Sequence, residues 1–384
     1  MKISERLKKL PPYLFVGIER LKRQAKEAGR DVIDFGVGDP DQPPPTFVIE
    51  ALRAALNEPD IHKYALDLGQ PEFREAIATW YMERFNVRLD PDTEVLPLIG
   101  SKEGIAHAPL AFINPGDVAL VPDPCYPPYV GGTIFAGGEP YPMALREENE
   151  FLPDLKIPLS ICRKARLMYI NYPNNPTAAV TEVGFFNTVA KFALKNDIII
   201  CHDAAYSEIT FNGYSQPSFL QAEGAKEVGI EFHSLSKTFN MTGWRVGFAC
   251  GNKDIISALA KVKSNIDSGI FNAIQKAGTV ALRTKGDHLE KMKRLYQERR
   301  DTLVEGLNSI GWKVEKPKAT FYVWCRVPKG NNSVDFSQKL LKEADIVITP
   351  GNGFGKFGEG FVRFAITVPK ERIKEAVERM RRVL

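Results

Sequence analysis

The sequence has no run of about 18 uninterrupted apolar residues, so no membrane-spanning helix is expected. Its five cysteines (Cys125, Cys162, Cys201, Cys250 and Cys325) are scattered, odd in number and form no CxxC pair, which argues against a disulfide framework and against a zinc site. The five histidines lack HExxH spacing, so no metal site is expected. Surplus charge is also scarce: 51 Lys and Arg against 47 Asp and Glu leave a net +4, with the two signs interspersed. No basic run therefore points to nucleic acid or to a membrane surface. There is no internal repeat and no linker rich in Ser or Gly. The N-terminus, MKISERLKKLPPYLF, is basic but lacks the apolar stretch of a secretory leader, and the cytoplasm is the expected compartment.

What remains is an ordinary globular composition, 44% hydrophobic and 26% charged, spread over 384 residues, enough for two or three domains. The middle of the chain alternates short apolar runs with helical patterns. Val118–Val121, Leu167–Ile170, Asp197–Cys201 and Gly229–Phe232 read as strands buried on both faces, and Glu182–Lys195 is apolar at helical spacing. Strand–helix–strand alternation predicts an α/β fold with a mainly parallel sheet. The tail differs: a long charged helix over Met292–Leu307, strands over Phe321–Val327 and Phe361–Val368, and a closing helix from Lys370 to Arg382 predict a smaller α+β domain. The proline-rich first forty-odd residues are expected to pack on it as an arm. The expected division is 45–285 for the large domain, and 1–44 with 286–384 for the small one.

In an open α/β sheet, ligands bind beyond the carboxyl ends of the strands. Three of the expected strands run into polar segments there: Asn171-Tyr172-Pro173-Asn174-Asn175-Pro176-Thr177, His202-Asp203-Ala204-Ala205-Tyr206 and His233-Ser234-Leu235-Ser236-Lys237-Thr238. Each alone is weak, since an Asp after a strand is commonly a helix cap and a lone Lys is commonly solvated. Together they bring an Asn, an Asp, a Tyr, two Ser and a Lys toward one crevice.

In these segments the chain resembles the fold-type I aminotransferases that use pyridoxal 5'-phosphate (PLP), and the resemblance covers essentially its whole length. Its most specific part is Ser234-Leu235-Ser236-Lys237, followed by Arg245 in Thr242-Gly243-Trp244-Arg245-Val246-Gly247, with Asn175-Pro176-Thr177 and Asp203-x-x-Tyr206 upstream in the family's order. One departure is Ala178, where the family usually has Gly. The resemblance implies that Lys237 anchors the cofactor's aldehyde and then serves as base and acid. Asp203 would face the pyridine nitrogen, and Tyr206 and Asn175 the phenolic oxygen. Arg245, Ser234, Ser236, Ser101 and Lys102 would hold the phosphate, the last two at the start of a helix after Val95–Ile99. Tyr126 matches the aromatic that stacks on the ring. Tyr64 matches a tyrosine that reaches the neighbouring subunit's phosphate, which implies a homodimer with shared sites. Arg363, in Val362-Arg363-Phe364, matches the α-carboxylate anchor, and Gly38 would let backbone approach the substrate.

Within that family, Leu10–Phe15, Ile99–Gly104, Cys201–Glu208 and Met241–Arg245 look like the branch acting on LL-diaminopimelate. This implies amino-group exchange between LL-diaminopimelate and 2-oxoglutarate, with Lys102, Glu103 and Tyr13 as candidate distal contacts. Aminotransferases for alanine, aspartate or aromatic amino acids share every cofactor residue named above, so that choice stays open, as does a PLP-dependent β-lyase on the same fold. A PLP-binding regulator would need a DNA-binding domain, for which the sequence leaves no room. Gly351-Asn352-Gly353-Phe354-Gly355 mimics a nucleotide loop but is not a full GxGxxG, and reads as a flexible turn.

Overall fold

The computed structural model describes residues 2–11, 20, 22–25, 27–65 and 68–384. The chain's first described turn lies against the larger sheet's layer, with Arg6 donating to the Phe135 carbonyl at 2.8 Å. The arm then packs on the smaller unit, as expected: Arg30 donates to the Leu341 and Lys342 carbonyls at 2.6 and 2.9 Å, and β1 (Ile33–Asp34) follows.

The large sheet comprises β2 (Val95–Leu98), β3 (Val118–Asp123), β4 (Glu139–Ala144), β5 (Ala165–Asn171), β6 (Ile199–Asp203), β7 (Gly229–Ser234) and β8 (Gly247–Gly251). Its seven strands run in the order β2-β8-β7-β6-β5-β3-β4. Six strands run one way and β8 alone runs against them. Alternation explains why these strands are apolar throughout. Met168 and Ile170 of β5 enter one apolar cluster with Phe73, Tyr81 and Phe186, while Leu167 and Tyr169 enter another, on the opposite face, with Leu98 and Ile105. The Val183–Asn196 helix ends in Asp197, which takes a left-handed φ of 54°. The strand therefore starts at Ile199 instead of the expected Asp197, because a helix C-terminus spends that residue on its cap.

The smaller unit joins β1 to β10 (Ile346–Val347) in a parallel pair, and sets β11 (Thr349–Pro350), β12 (Phe361–Ala365) and β9 (Tyr322–Arg326) in an antiparallel sheet. Helices His288–Ser309, Ser333–Ala344 and Lys370–Arg381 cover it. Phe35, Leu303, Phe336, Phe364 and Ile373 share its core, which also takes in Tyr206, Ile209 and Phe211 from the segment after β6. Among the described residues, no helix is long and apolar enough to cross a membrane.

Three consecutive parallel strands thus end at one edge. Asn171, Asp203 and Ser234 are the last residues of β5, β6 and β7, with Asn171 opposite Asp203 in the ladder. That edge faces the antiparallel sheet of the smaller unit.

Candidate active site

A cleft of about 440 Å³ opens between this edge and the smaller sheet. Gly38, Ser101, Lys102, Tyr126, Asn175, Asp203, Tyr206, Ser234, Ser236, Lys237, Arg245 and Arg363 all line it, as the sequence leads one to expect. Tyr64 lies elsewhere on the chain and is 90% exposed. Tyr13 lies outside the described residues.

Lys237 sits in a short helix, Leu235–Thr238, opened by Ser234, whose side chain accepts from the Ser236 amide. Its Nζ donates to the Gly38 carbonyl at 3.0 Å and lies 5.4 Å from the Phe321 ring. Burial, reinforced by the positive charges of Arg245 and Arg363 against the opposing charge of Asp39, lowers its pKa to about 8. The amine therefore releases its proton far more readily than an ordinary lysine. Asp203 is buried in the floor. Its Oδ2 accepts from the Tyr129 hydroxyl at 2.8 Å and its Oδ1 from the Ala205 amide at 3.2 Å. Burial raises its pKa against the pull of these two donors.

At one end, polar donors gather. Ser101 begins the helix Ser101–Phe112, whose N-cap Gly100 has φ 75°, and a Cβ there would stand 2.5 Å from the Arg245 guanidinium. Only glycine admits both the conformation and the close approach. Arg245 is itself held by the Thr242 carbonyl at 2.6 Å. Helix amides, serine hydroxyls and an arginine in one corner form a donor set suited to a phosphate dianion.

At the other end, Arg363 is 1% exposed. It donates to Asn175 Oδ1 and to the Gly36 carbonyl, both at 2.8 Å, and its guanidinium lies 4.2 Å from the Tyr322 ring and 4.7 Å from the Phe354 ring. Asn175 is fixed in turn by its amide bonding Asn171 Oδ1 at 2.7 Å. The turn that carries it closes with Ala178 at φ 60°, the left-handed conformation for which glycine is better suited.

Two sequence readings change. Glu103 does not line the cleft: its carboxylate accepts from Lys263 at 3.1 Å and from the Ile99 amide at 2.6 Å, so it is committed to the fold instead of a distal ligand group. The glycine-rich stretch 351–355 is no flexible turn. Gly351–Phe354 is a 3-10 turn with Phe354 buried, a second (Lys356–Gly358) follows it, and the Asp123 carboxylate accepts the Lys356 and Phe357 amides at 3.2 and 3.0 Å. Its glycines serve packing, since a Cβ on Gly355 would collide with Asp123.

Tyr129, Tyr322 and Thr242 are site residues that the sequence reading misses. Tyr129 stands three positions after Tyr126, its amide bonding the Tyr126 carbonyl at 3.2 Å where the helix Pro128–Phe135 begins and the two rings 5.9 Å apart, a spacing that could have signalled it. Tyr322 bonds the Tyr206 hydroxyl at 2.8 Å, and a Cβ on Gly38 would strike its ring. Its place follows from the β9–β12 register, which no local pattern reveals.

The comparisons with known proteins agree with this geometry. A family model described as aminotransferase class I and II matches residues 30–380. The chain is 56% identical to the LL-diaminopimelate aminotransferase of Moorella thermoacetica, over 100% of this chain and 99% of that one. It is 58% identical to the protein of the same name from Syntrophobacter fumaroxidans, over 99% and 98%. A substrate-bound structure of BacF from Bacillus subtilis matches with a TM-score of 0.96 at 41% identity, covering 100% of this chain and 98% of that one. The chain belongs to the class I and II aminotransferase family.

Proposed function

We propose that this chain transfers an amino group, in ping-pong fashion, between LL-2,6-diaminopimelate and 2-oxoglutarate, giving tetrahydrodipicolinate and glutamate, as a step in lysine biosynthesis. The observation that carries the reading is full-length identity of 56–58% to two proteins of that name, joined to a cleft with an amine, a buried carboxylate and a buried arginine in the required order.

The enzyme is PLP-dependent, and the residues fit that cofactor: a corner of hydrogen-bond donors at Ser101 and Arg245, and a buried carboxylate in the floor. When bound, PLP supplies an aldehyde that takes the amino group and a protonated ring that draws electrons from the α-carbon. Lys237 would hold the cofactor and, once displaced, its Nζ would take the substrate's α-proton and return it. Asp203 would keep the ring nitrogen protonated, a task served by a carboxylate that Tyr129 and the Ala205 amide hold in place. Tyr206 would donate to the phenolic oxygen, and Asn175 would share that oxygen. Tyr126 would stack on the ring, while Ser101, Lys102, Ser234, Ser236 and Arg245 would take the phosphate. Arg363 would hold the substrate's α-carboxylate with a planar fork, and its burial strengthens the pair. Lys102 and Tyr13 are the candidates for the distal end.

The exposed Tyr64 fits a role in a second copy's phosphate site, so the active form is a homodimer with shared sites. The division into 45–285 and 1–44 with 286–384 belongs to the same reading, supported by the smaller unit's own apolar cluster, which Tyr206, Ile209 and Phe211 join from the large domain. The cytoplasm is the proposed compartment. The test is a half-reaction screen, in which PLP enzyme is mixed with single amino acids and the cofactor spectrum followed. Fast conversion by LL-diaminopimelate and glutamate, with alanine, aspartate and aromatic amino acids slow, is expected. Equal rates for several small amino acids would replace the proposal with a broad-specificity aminotransferase, and ammonia release without an oxo-acid acceptor would replace it with a β-lyase.

A further inference from the structure

We infer that Tyr322 is a positioning residue for both halves of the site: its hydroxyl supplies the proton that the Tyr206 oxygen accepts, leaving the single proton of Tyr206 to point at the cofactor, and its ring fixes the plane of Arg363. The inference rests on the role given to Tyr206 above.

The two hydroxyls are 2.8 Å apart, both rings are buried, and either oxygen could be the donor on distance alone. A proton count decides. Each phenol has one proton, so a Tyr206 that donates toward the cofactor has none to give Tyr322, and Tyr322 must be the donor. The surroundings of Tyr322 agree. Burial raises the Tyr322 pKa against the pull of Arg363, so the hydroxyl keeps its proton, and Arg363, 4.2 Å from the ring, has no acceptor to take that hydrogen bond from Tyr206. The Gly38 carbonyl beside it already accepts from Lys237. A chain of two hydroxyl donors polarises along its length, so the outer bond strengthens the inner one.

The second half is steric. Tyr322 opens β9 and pairs with Ala365, placing its ring against Arg363 two residues away on the adjacent strand. Phe354 lies 4.7 Å from the same guanidinium. With Asn175 and the Gly36 carbonyl fixing two of its nitrogens, Arg363 has one orientation left for a carboxylate. Gly38 has no side chain because a Cβ there would occupy the space of the Tyr322 ring.

The experiment uses PLP-loaded wild type, Tyr206→Phe, Tyr322→Phe, Tyr322→Leu and the Tyr206→Phe/Tyr322→Phe double variant. The first readout is the pH midpoint of the visible absorption change without substrate. Asp39, Asp203, Arg245, Arg363 and Lys237, the other charged or titratable groups around the pair, are the same in all five proteins. Tyr206→Phe is expected to raise the midpoint, because a lost donor destabilises the negative oxygen. Tyr322→Phe is expected to raise it by about 0.2–0.6 pH units, the share that one polarising donor adds to a charge-assisted bond, with no further rise in the double variant. The second readout is the KM for 2-oxoglutarate. It stays within about twofold in Tyr322→Phe, which keeps the ring, and rises roughly two- to thirtyfold in Tyr322→Leu, which loses it. A midpoint unmoved by Tyr322→Phe but moved by Tyr206→Phe overturns the inference and leaves the Tyr206 role standing. A midpoint unmoved by Tyr206→Phe removes both. A Tyr322→Phe shift that persists undiminished in the Tyr206→Phe background also overturns it.

Discussion

Two lysines and two carboxylates near the sheet edge make a contrast: among the described residues, one of each kind is sated while the other is not. Lys263 is 1% exposed and donates to both oxygens of Glu103 at 3.1 Å and to Asp267 at 2.6 Å. Lys237 has only a backbone carbonyl, with no paired carboxylate among the described residues. Glu231, fully buried in β7, accepts from the Tyr81 hydroxyl, the Ser218 hydroxyl and the Phe219 amide, and meets His202 Nδ1 at 2.8 Å and His233 Nε2 at 2.7 Å. Burial alone would raise its pKa, but the His202 charge and hydrogen bond, joined by those of His233, hold it well below the usual carboxylate range. Asp203, one strand away, has two donors among the described residues, and burial moves its pKa up. The sated pair fixes the fold. The unsated pair faces the cleft with capacity left for a ligand's aldehyde and ring proton, which is how a buried ionic group becomes a working one.

That contrast breaks most visibly at Lys237. Lys237→Ala is expected to lower turnover by at least roughly 10²–10⁴-fold and to abolish covalent retention of PLP through gel filtration. Near-normal turnover would move the catalytic amine elsewhere. Next in size is Glu231→Gln, which leaves two histidines facing a neutral amide and is expected to cost about 3–5 kcal/mol in urea unfolding, with turnover per folded molecule within a few-fold of wild type. A folded-state pKa below the unfolded one means that stability from Glu231 is complete above about pH 4.3 and lost as pH falls. The gap between variant and wild type should therefore narrow on acidification. A large loss of turnover without loss of stability would place Glu231 in the chemistry.

The unsated groups were legible in the sequence because they sit where strands end, and strand ends announce themselves. Asn175, Asp203 and Lys237 each follow an apolar run, and Arg363 lies within one. The sated groups were not, since Glu231, Lys263 and Glu103 look in sequence like any other charged residues. Glu103 was even read as a ligand group, because nothing local shows the helix Lys253–Ser264 bringing Lys263 beneath it. β4 was missed for another reason: Glu139-Pro-Tyr-Pro-Met-Ala carries two prolines and is only partly buried, which an edge strand tolerates and a core strand does not. Tyr322 reaches the site through the pairing of β9 with β12, between distant segments, so that part of the site became visible only in three dimensions.

A subtler measure of the unsated lysine is pH. Its pKa in the structure is about 8, and attachment of PLP needs the neutral amine. The rate of cofactor uptake by apo-protein should be flat above about pH 8 and fall tenfold per unit below it. A break near the ordinary lysine value would mean that Lys237 is solvated and that its contrast with Lys263 fails.

The smallest expected effect tests the joint between the two kinds of site. Asn175 must stay available to the cleft, and the turn beneath it is therefore tied by other atoms: Thr177 donates to Asn174 through both its amide (3.0 Å) and its hydroxyl (2.8 Å), and the Ala178 amide reaches the Asn174 carbonyl at 2.9 Å. Holding an alanine in the left-handed region costs about 1 kcal/mol, which Ala178→Gly would relieve. The greater freedom of glycine in the unfolded chain takes back about 0.4–1 kcal/mol. The net expectation is a gain below about 1 kcal/mol, read as a small upward shift of the urea midpoint at constant slope, with unchanged KM for 2-oxoglutarate. A gain above about 2 kcal/mol would show that the methyl strains more than its own residue. A loss of stability would show that this methyl, 5% exposed, contributes packing that outweighs its backbone strain.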